Sequence, residues 1–275
     1  MSSVDLSAWL GRSQTFEDAL DAGQARRIAA TLSCPIPAAG DTLSALWHWC
    51  YFLENVPSAE IGLDGHPERG GFLPPANNRN RMWAGGRVTF EGDLKIGVPA
   101  RKTSTIKNIQ EKQGKTGALL FVTLTHEIEQ LGRRVIIEEQ DIVYREPSPP
   151  KLTGTELQPV AQWQRAIEPT PVLLFRYSAI TFNAHRIHYD YPYVTEQEGY
   201  PGLVVHGPML ATFMVQAFQA ANPQARLKHL NYRGLRPMVC PTPFEVGGTV
   251  ESPGAAQLWI SQGGTLAHQA QLTFE

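Results

Sequence analysis

Gly207-Pro208-Met209-Leu210-Ala211-Thr212-Phe213-Met214-Val215-Gln216-Ala217-Phe218 sets Met209, Leu210, Phe213, Met214, Ala217 and Phe218 at helical spacing. Pro208 suits a first helical turn, so the stretch predicts a mainly apolar helix beginning near His206-Gly207. Downstream come short segments rich in β-branched and aromatic residues at 229–232, 244–246, 257–260 and 268–274. An apolar helix followed by several antiparallel strands is an α+β order, in which a sheet wraps a buried helix.

The first half of the chain repeats this order. Gly40-Asp41-Thr42 precedes Leu43, Leu46, Trp47, Cys50, Tyr51 and Leu53, which predicts a second helix with Asp41 or Thr42 as its N-cap. Strand-like segments follow at 87–90, 103–106, 118–124 and 135–144. Phe90-Glu91-Gly92-Asp93-Leu94-Lys95 with Val98-Pro99 aligns weakly with Tyr232-Arg233-Gly234-Leu235-Arg236 and Cys240-Pro241, as a duplication would leave it. The proline-rich run from Arg145 to Pro150 and the polar stretch to Pro169 read as the connection. The expected organisation is therefore 1–150, a linker 151–169, and 170–275.

Composition narrows the function. Of 275 residues 42% are hydrophobic and 18% charged, which is ordinary for a globular chain and unlike a disordered one. A net charge of -2 gives no general attraction to nucleic acid or to anionic membranes. Polar groups recur through the first thirty residues, so neither a signal peptide nor a membrane span is expected there. Cys34, Cys50 and Cys240 are widely spaced, without a CxxC pair, and read as reduced packing residues of a cytoplasmic protein.

Two polar clusters stand out: Phe182-Asn183-Ala184-His185-Arg186-Ile187-His188-Tyr189-Asp190, and His206-Gly207 at the predicted helix start. His185 and His188, three apart, would share a face of a helical turn and could pair on a metal. No HExxH and no further carboxylate at ligand spacing accompanies them, so no metal is expected. His48 and His66, isolated in sequence, read as structural or surface residues.

These segments, with Arg81-Met82-Trp83-Ala84-Gly85-Gly86 in the first half, resemble the MaoC-like hydratases and hydroxyacyl-thioester dehydratases of type 2, the mesaconyl-C4-CoA and itaconyl-CoA hydratases among them. The resemblance implies a double hot-dog fold. The family pattern Asp-x-Asn-Pro-x-His would supply a catalytic aspartate and histidine, and these positions hold Asn183 and His188 here; only the histidine matches.

Hydration of an enoyl thioester needs a base for water, a proton donor for the α-carbon and stabilisation of the enolate. His188 is the expected base. The Asn183 amide would hold the nucleophilic water. The backbone N–H of Gly207, at a helix N-terminus, would face the enolate. The imidazolium of His188, His185 or Asp190 would protonate the α-carbon, and the sequence leaves these three open.

The implied substrate is a short dicarboxylic enoyl-CoA, with mesaconyl-C4-CoA or itaconyl-CoA hydrated to citramalyl-CoA, as in itaconate degradation. No cofactor is required beyond the coenzyme A of the substrate. Arg186, Arg81 or Arg87 would read the free carboxylate, while Arg233 and Arg236 would contact the phosphates of CoA. Bulky Trp47, Trp49, Tyr51 and Phe52 argue against a long acyl chain. A fatty 3-hydroxyacyl-thioester dehydratase and a non-catalytic acyl-thioester binding module are the competing readings. A homodimer is a further possibility that the sequence leaves open.

Overall fold

Ile106, Val122, Leu124, Ile128 and Ile142 alternate with more polar neighbours along the first-half strands, and all five are buried. That period of two lays one face of a sheet on the core. In the computed structural model, which describes residues 5–76, 79–114 and 117–275, ten strands form one antiparallel sheet. They are β1 (Ser13–Asp18), β2 (Asn80–Phe90), β3 (Ala100–Gly114), β4 (Gly117–Gln130), β5 (Arg133–Arg145), β6 (Trp163–Ile167), β7 (Leu227–Gly234), β8 (Phe244–Ser252), β9 (Ala255–Gln262) and β10 (Thr265–Phe274). Their spatial order is β1-β3-β4-β5-β2-β7-β10-β9-β8-β6.

The two sheets expected from the duplicated order are thus joined edge to edge, β2 of the first half pairing with β7 of the second. Glycine makes the junction possible. A Cβ on Gly85 would lie 2.3 Å from the carbonyl oxygen of Tyr232, and one on Gly86 would lie 2.5 Å from the Tyr232 hydroxyl.

The second-half helix forms as predicted, as α4 (Gly207–Ala221). Met209, Leu210, Met214 and Phe218 are at most 1% exposed against the inner face of β8–β10. Each such side chain contributes about 1.5–3 kcal/mol through burial.

The first-half helix expected from Leu43 to Leu53 does not form. Leu46 and Phe52 adopt left-handed backbone angles (φ 68° and 54°), leaving a single 3-10 turn at Trp47–Cys50. Tertiary bonds hold the segment in that shape. The Leu43 amide donates to the Leu94 carbonyl at 2.7 Å, the Phe52 amide to Asp18 Oδ2 at 2.9 Å and the Tyr51 hydroxyl to the Asp21 carbonyl at 2.9 Å. The first half instead carries α1 (Ala22–Leu32), N-capped by Asp21, beside the 3-10 turn and against α2 (Pro171–Ile180). The bulk of Trp47, Tyr51 and Phe52 is buried as expected, without the helix.

The stretch read as a linker is not wholly irregular, because Trp163–Ile167 is the edge strand β6, paired with β8. Cys34, Cys50 and Cys240 are free thiols. Among the described residues no helix is long and apolar enough to cross a membrane.

Candidate active site

Thr170 caps α2 by accepting the Leu173 amide at 3.1 Å, and the helix ends where Phe182 turns left-handed (φ 49°). Asn183 then makes an Asx turn, its Oδ1 accepting the His185 amide at 3.0 Å. A short turn over Arg186–His188 follows. It brings His188 Nδ1 to 2.7 Å from the carbonyl of Val204, to which the ring must donate. His188 is therefore a neutral imidazole with its Nε2 lone pair free. Burial pushes its pKa down to about 4, so the base form is fully populated at neutral pH.

His206, the residue before α4, stacks on His188 with ring centroids 3.6 Å apart and hydrogen-bonds Ser178 Oγ at 2.9 Å. Its pKa, too, is well below the ordinary value, through burial and then through the neighbouring His188 and His185. Gly207 follows as the first residue of α4, where amides have no intrahelical acceptor. The indole of Trp83 lies against it, and a Cβ there would sit 2.4 Å from Trp83 Cε3.

The first half reaches this site through a loop that sequence reasoning passed over. The Asp64 carbonyl accepts the Arg186 amide at 2.9 Å, and Gly65 (φ 88°) lies so close that a Cβ would fall 1.8 Å from the Ala184 carbonyl oxygen. This docking sets the His66 ring 4.2 Å from that of His185, which in turn stands 5.4 Å from His188. His66 is thus no isolated surface residue. The Asp64-Gly65 turn signal marks a loop in the sequence, but nothing in its spacing announces the partner.

Asp64, His66 and His185 offer ligand atoms within 4.8 Å of one another, the one such group among the described residues. The surroundings oppose a cation there. Arg69 Nη2 already holds Asp64 Oδ2 at 3.1 Å. The positive charges of Arg81 and Arg69 act on His66 and would act likewise on a cation beside it.

A cavity of about 580 Å³ opens at exposed Phe175, Phe182 and Tyr189 and runs past Ser178, Asn183 and Arg81. His66 and Arg81 also line a second cavity of about 530 Å³. An inner chamber of about 280 Å³ brings Asn183, Tyr177 and Pro208 of the second half to Arg81 and Trp83 of the first. Of the five arginines predicted for substrate contact, Arg81 is the one that faces these spaces.

The others are placed differently. Arg186 is engaged by Asp190 at 2.7 Å, by the Leu63 carbonyl at 3.1 Å and by the face of Tyr193. Asp190 caps α3 (Tyr191–Glu196), and its hydrogen bonds from Arg186 and the Tyr193 amide hold it below the usual carboxylate range. It is an ionised structural carboxylate rather than a proton donor. Arg87 pairs with Glu139 at 2.8 Å and Asp141 at 2.7 Å on the outer face of the sheet. Arg233 is exposed on that same outer face, next to inward-facing Tyr232, and donates to the Gln269 side-chain oxygen at 2.8 Å. Arg236 is only 8% exposed and spends its guanidinium on the carbonyls of Leu266, Leu152, Gln262 and Thr265. It is a buried staple, with four of its five N–H groups turned to the protein's own oxygens.

Known proteins share both the sequence and the architecture. Residues 46–240 match the model of the hydroxyacyl-thioester dehydratase type 2 family. Mesaconyl-C4-CoA hydratase of Chloroflexus aurantiacus is 51% identical over 221 residues, covering 78% of this chain and 79% of that one. The crystal structure of HtdX of Mycobacterium tuberculosis superposes with a TM-score of 0.71 at 17% identity, covering 96% of this chain and 100% of that one. A second Mycobacterium tuberculosis protein, which has a double hot-dog fold, matches with a TM-score of 0.62 at 12% identity over 96% of each chain. The chain belongs to the hydroxyacyl-thioester dehydratase type 2 family and is a hydro-lyase built as a double hot-dog.

Proposed function

We propose that this enzyme adds water to a short dicarboxylic enoyl-CoA, converting mesaconyl-C4-CoA or itaconyl-CoA to citramalyl-CoA without a metal or cofactor. The observation that carries the reading is Arg81. It faces the cavities beside His66 and Asn183, and among the described residues it belongs to no ion pair. A half-buried guanidinium that faces a cavity and lacks an ion-pair partner suits an anionic ligand, and a fatty enoyl chain would bring none. The 51% identity to a mesaconyl-C4-CoA hydratase supports the same substrate class. A cytoplasmic setting, where CoA esters are made and used, suits the free thiols.

In the proposed mechanism the thioester enters past Phe175 and Phe182. The Nδ2 group of Asn183 orients a water, its Oδ1 being occupied by the His185 amide. Nε2 of His188 takes a proton as the water oxygen bonds to the β-carbon, and the π electrons move to the thioester oxygen. The Gly207 N–H at the positive end of α4 stabilises that enolate. When the enolate collapses, the α-carbon takes the proton back from the His188 imidazolium through water; His185, its pKa pushed well below the ordinary value by burial, is neutral and has no acidic proton to give. A base held near pKa 4 is weak in the free enzyme, but enolate charge raises its affinity for a proton as the transition state forms.

Incubation with mesaconyl-C4-CoA in ¹⁸O-labelled water tests the reaction. Citramalyl-CoA carrying one labelled hydroxyl is the expected product, and unchanged substrate or free CoA would contradict the reading.

A further inference from the structure

The inner face of a hot-dog sheet is ordinarily apolar, as Ile106, Leu124, Ile128 and Ile142 make it here. One patch breaks the pattern. Ser104 of β3 pairs in register with His126 of β4, which pairs with Glu138 of β5, so three polar side chains stand in a row across the strands. Lys102 stands two residues before Ser104 on the same face.

Most of this polarity is internally satisfied. Glu138 accepts His48 Nε2 and Trp49 Nε1, each at 3.0 Å. Ser104 Oγ donates to His126 Nδ1 at 2.7 Å, and His126 Nε2 donates to Gln140 Oε1 at 3.1 Å. Lys102 is the exception. Its Nζ has one hydrogen bond, to the Phe52 carbonyl at 3.3 Å, and otherwise lies 5.5 and 5.7 Å from the ring centroids of Phe52 and Phe16. Among the described residues no ion pair includes it.

Lys102 and Asn183 line the same inner chamber of about 280 Å³. A thioester whose double bond lies at Asn183 would therefore share this chamber with the ammonium. We propose that Lys102, backed by the His126–Ser104 pair, is the subsite that binds the free carboxylate of the acyl group and so determines that the enzyme takes dicarboxylic rather than fatty substrates. The carboxylate would accept two N–H bonds from Nζ, replacing the water that the ammonium loses on burial. Burial pushes the Lys102 pKa down against the opposing pull of the Glu138, Glu54 and Asp18 carboxylates, and an anion in the chamber would add to that pull. Arg81, which lines the same chamber, would add a second positive charge.

This proposal rests on the dicarboxylate reading above, and binding of unreactive thioesters separates the two. Calorimetry with succinyl-CoA and butyryl-CoA measures recognition of the carboxylate without turnover. The native enzyme should prefer succinyl-CoA. Lys102→Met, which keeps the length and apolar bulk of the side chain, should weaken succinyl-CoA by about 30-fold or more while leaving butyryl-CoA unchanged. Equal weakening of both ligands, or of neither, would overturn the subsite. Should Lys102→Met fail to fold, Lys102→Gln is read in the same way. A native preference for succinyl-CoA in an enzyme that hydrates no dicarboxylic substrate would sink the hydratase reading and leave the subsite standing.

Discussion

Replacing Gly65 by alanine tests whether the active site is built from both halves of the chain. Two costs apply there. At φ 88° an L-residue is strained by about 1–2 kcal/mol. The added methyl would also stand 1.8 Å from the Ala184 carbonyl oxygen, a backbone atom that cannot swing aside. Relief requires the loop to lift, which breaks the Asp64 carbonyl's bond from the Arg186 amide and the Leu63 carbonyl's bond from Arg186 Nη1. At about 1 kcal/mol for each bond, the total destabilisation is about 3–4 kcal/mol. The lifted loop carries His66 away from His185, and misplacement by an ångström costs about 10²-fold in turnover. Gly11→Ala is the control, because Gly11 has a similar φ of 79° and nothing within 4 Å of its virtual Cβ. Urea unfolding and kcat/KM for mesaconyl-C4-CoA should show Gly65→Ala impaired in both and Gly11→Ala only slightly destabilised. If the two variants behave alike, the loop does not hold the site.

His188→Gln should lower kcat by about 10²-fold or more while leaving the urea midpoint near that of the native protein, and near-native turnover would remove His188 as the base. Arg236→Met should destabilise by about 3 kcal/mol, since four carbonyls lose their donor, yet leave the CoA affinity of the folded protein unchanged; a weakened CoA affinity would restore Arg236 to the phosphate site. Stability should also fall on acidification. His66, His188 and His268 are each pushed down from 6.5 to about 4, so their contribution is present above pH 6.5 and is lost as pH falls towards 4. At pH 5 each has withdrawn about 2 kcal/mol, or about 6 kcal/mol together, and urea midpoints that stay level between pH 7.5 and 5 would refute the neutral buried histidines.

The strands and α4 were legible because their signals are strong and local: period-two alternation in β3–β5 and a wholly apolar helix behind Pro208. α1 was not, because its buried positions are chiefly Ala25, Ile28, Ala29 and Leu32, interrupted by Arg26 and Arg27. The helix expected at 43–53 failed for the opposite reason, its helical spacing being overridden by hydrogen bonds to residues distant in sequence. Arginine placement depended on one irregularity. Arg81 and Arg87 are six residues apart and would share a face of a regular strand, but β2 is bulged between Trp83 and Gly85, which turns Arg87 outward. Nor could spacing reveal that Lys102 and His126 line one chamber with Asn183, since register across strands decides it. The candidate catalytic segment was compact enough to read, with His185 and His188 in one turn, whereas Asp64 and His66 reach it only through long-range docking.

The chamber that brings Arg81 and Lys102 to Asn183 is proposed to select a short dicarboxylic enoyl thioester. Steady-state kcat/KM measured side by side for mesaconyl-C4-CoA, itaconyl-CoA and crotonyl-CoA tests it most directly. At least one of the dicarboxylic substrates should exceed crotonyl-CoA by about 30-fold or more, the scale on which leaving a buried charge unpaired is penalised. A preference for crotonyl-CoA over both would contradict the account.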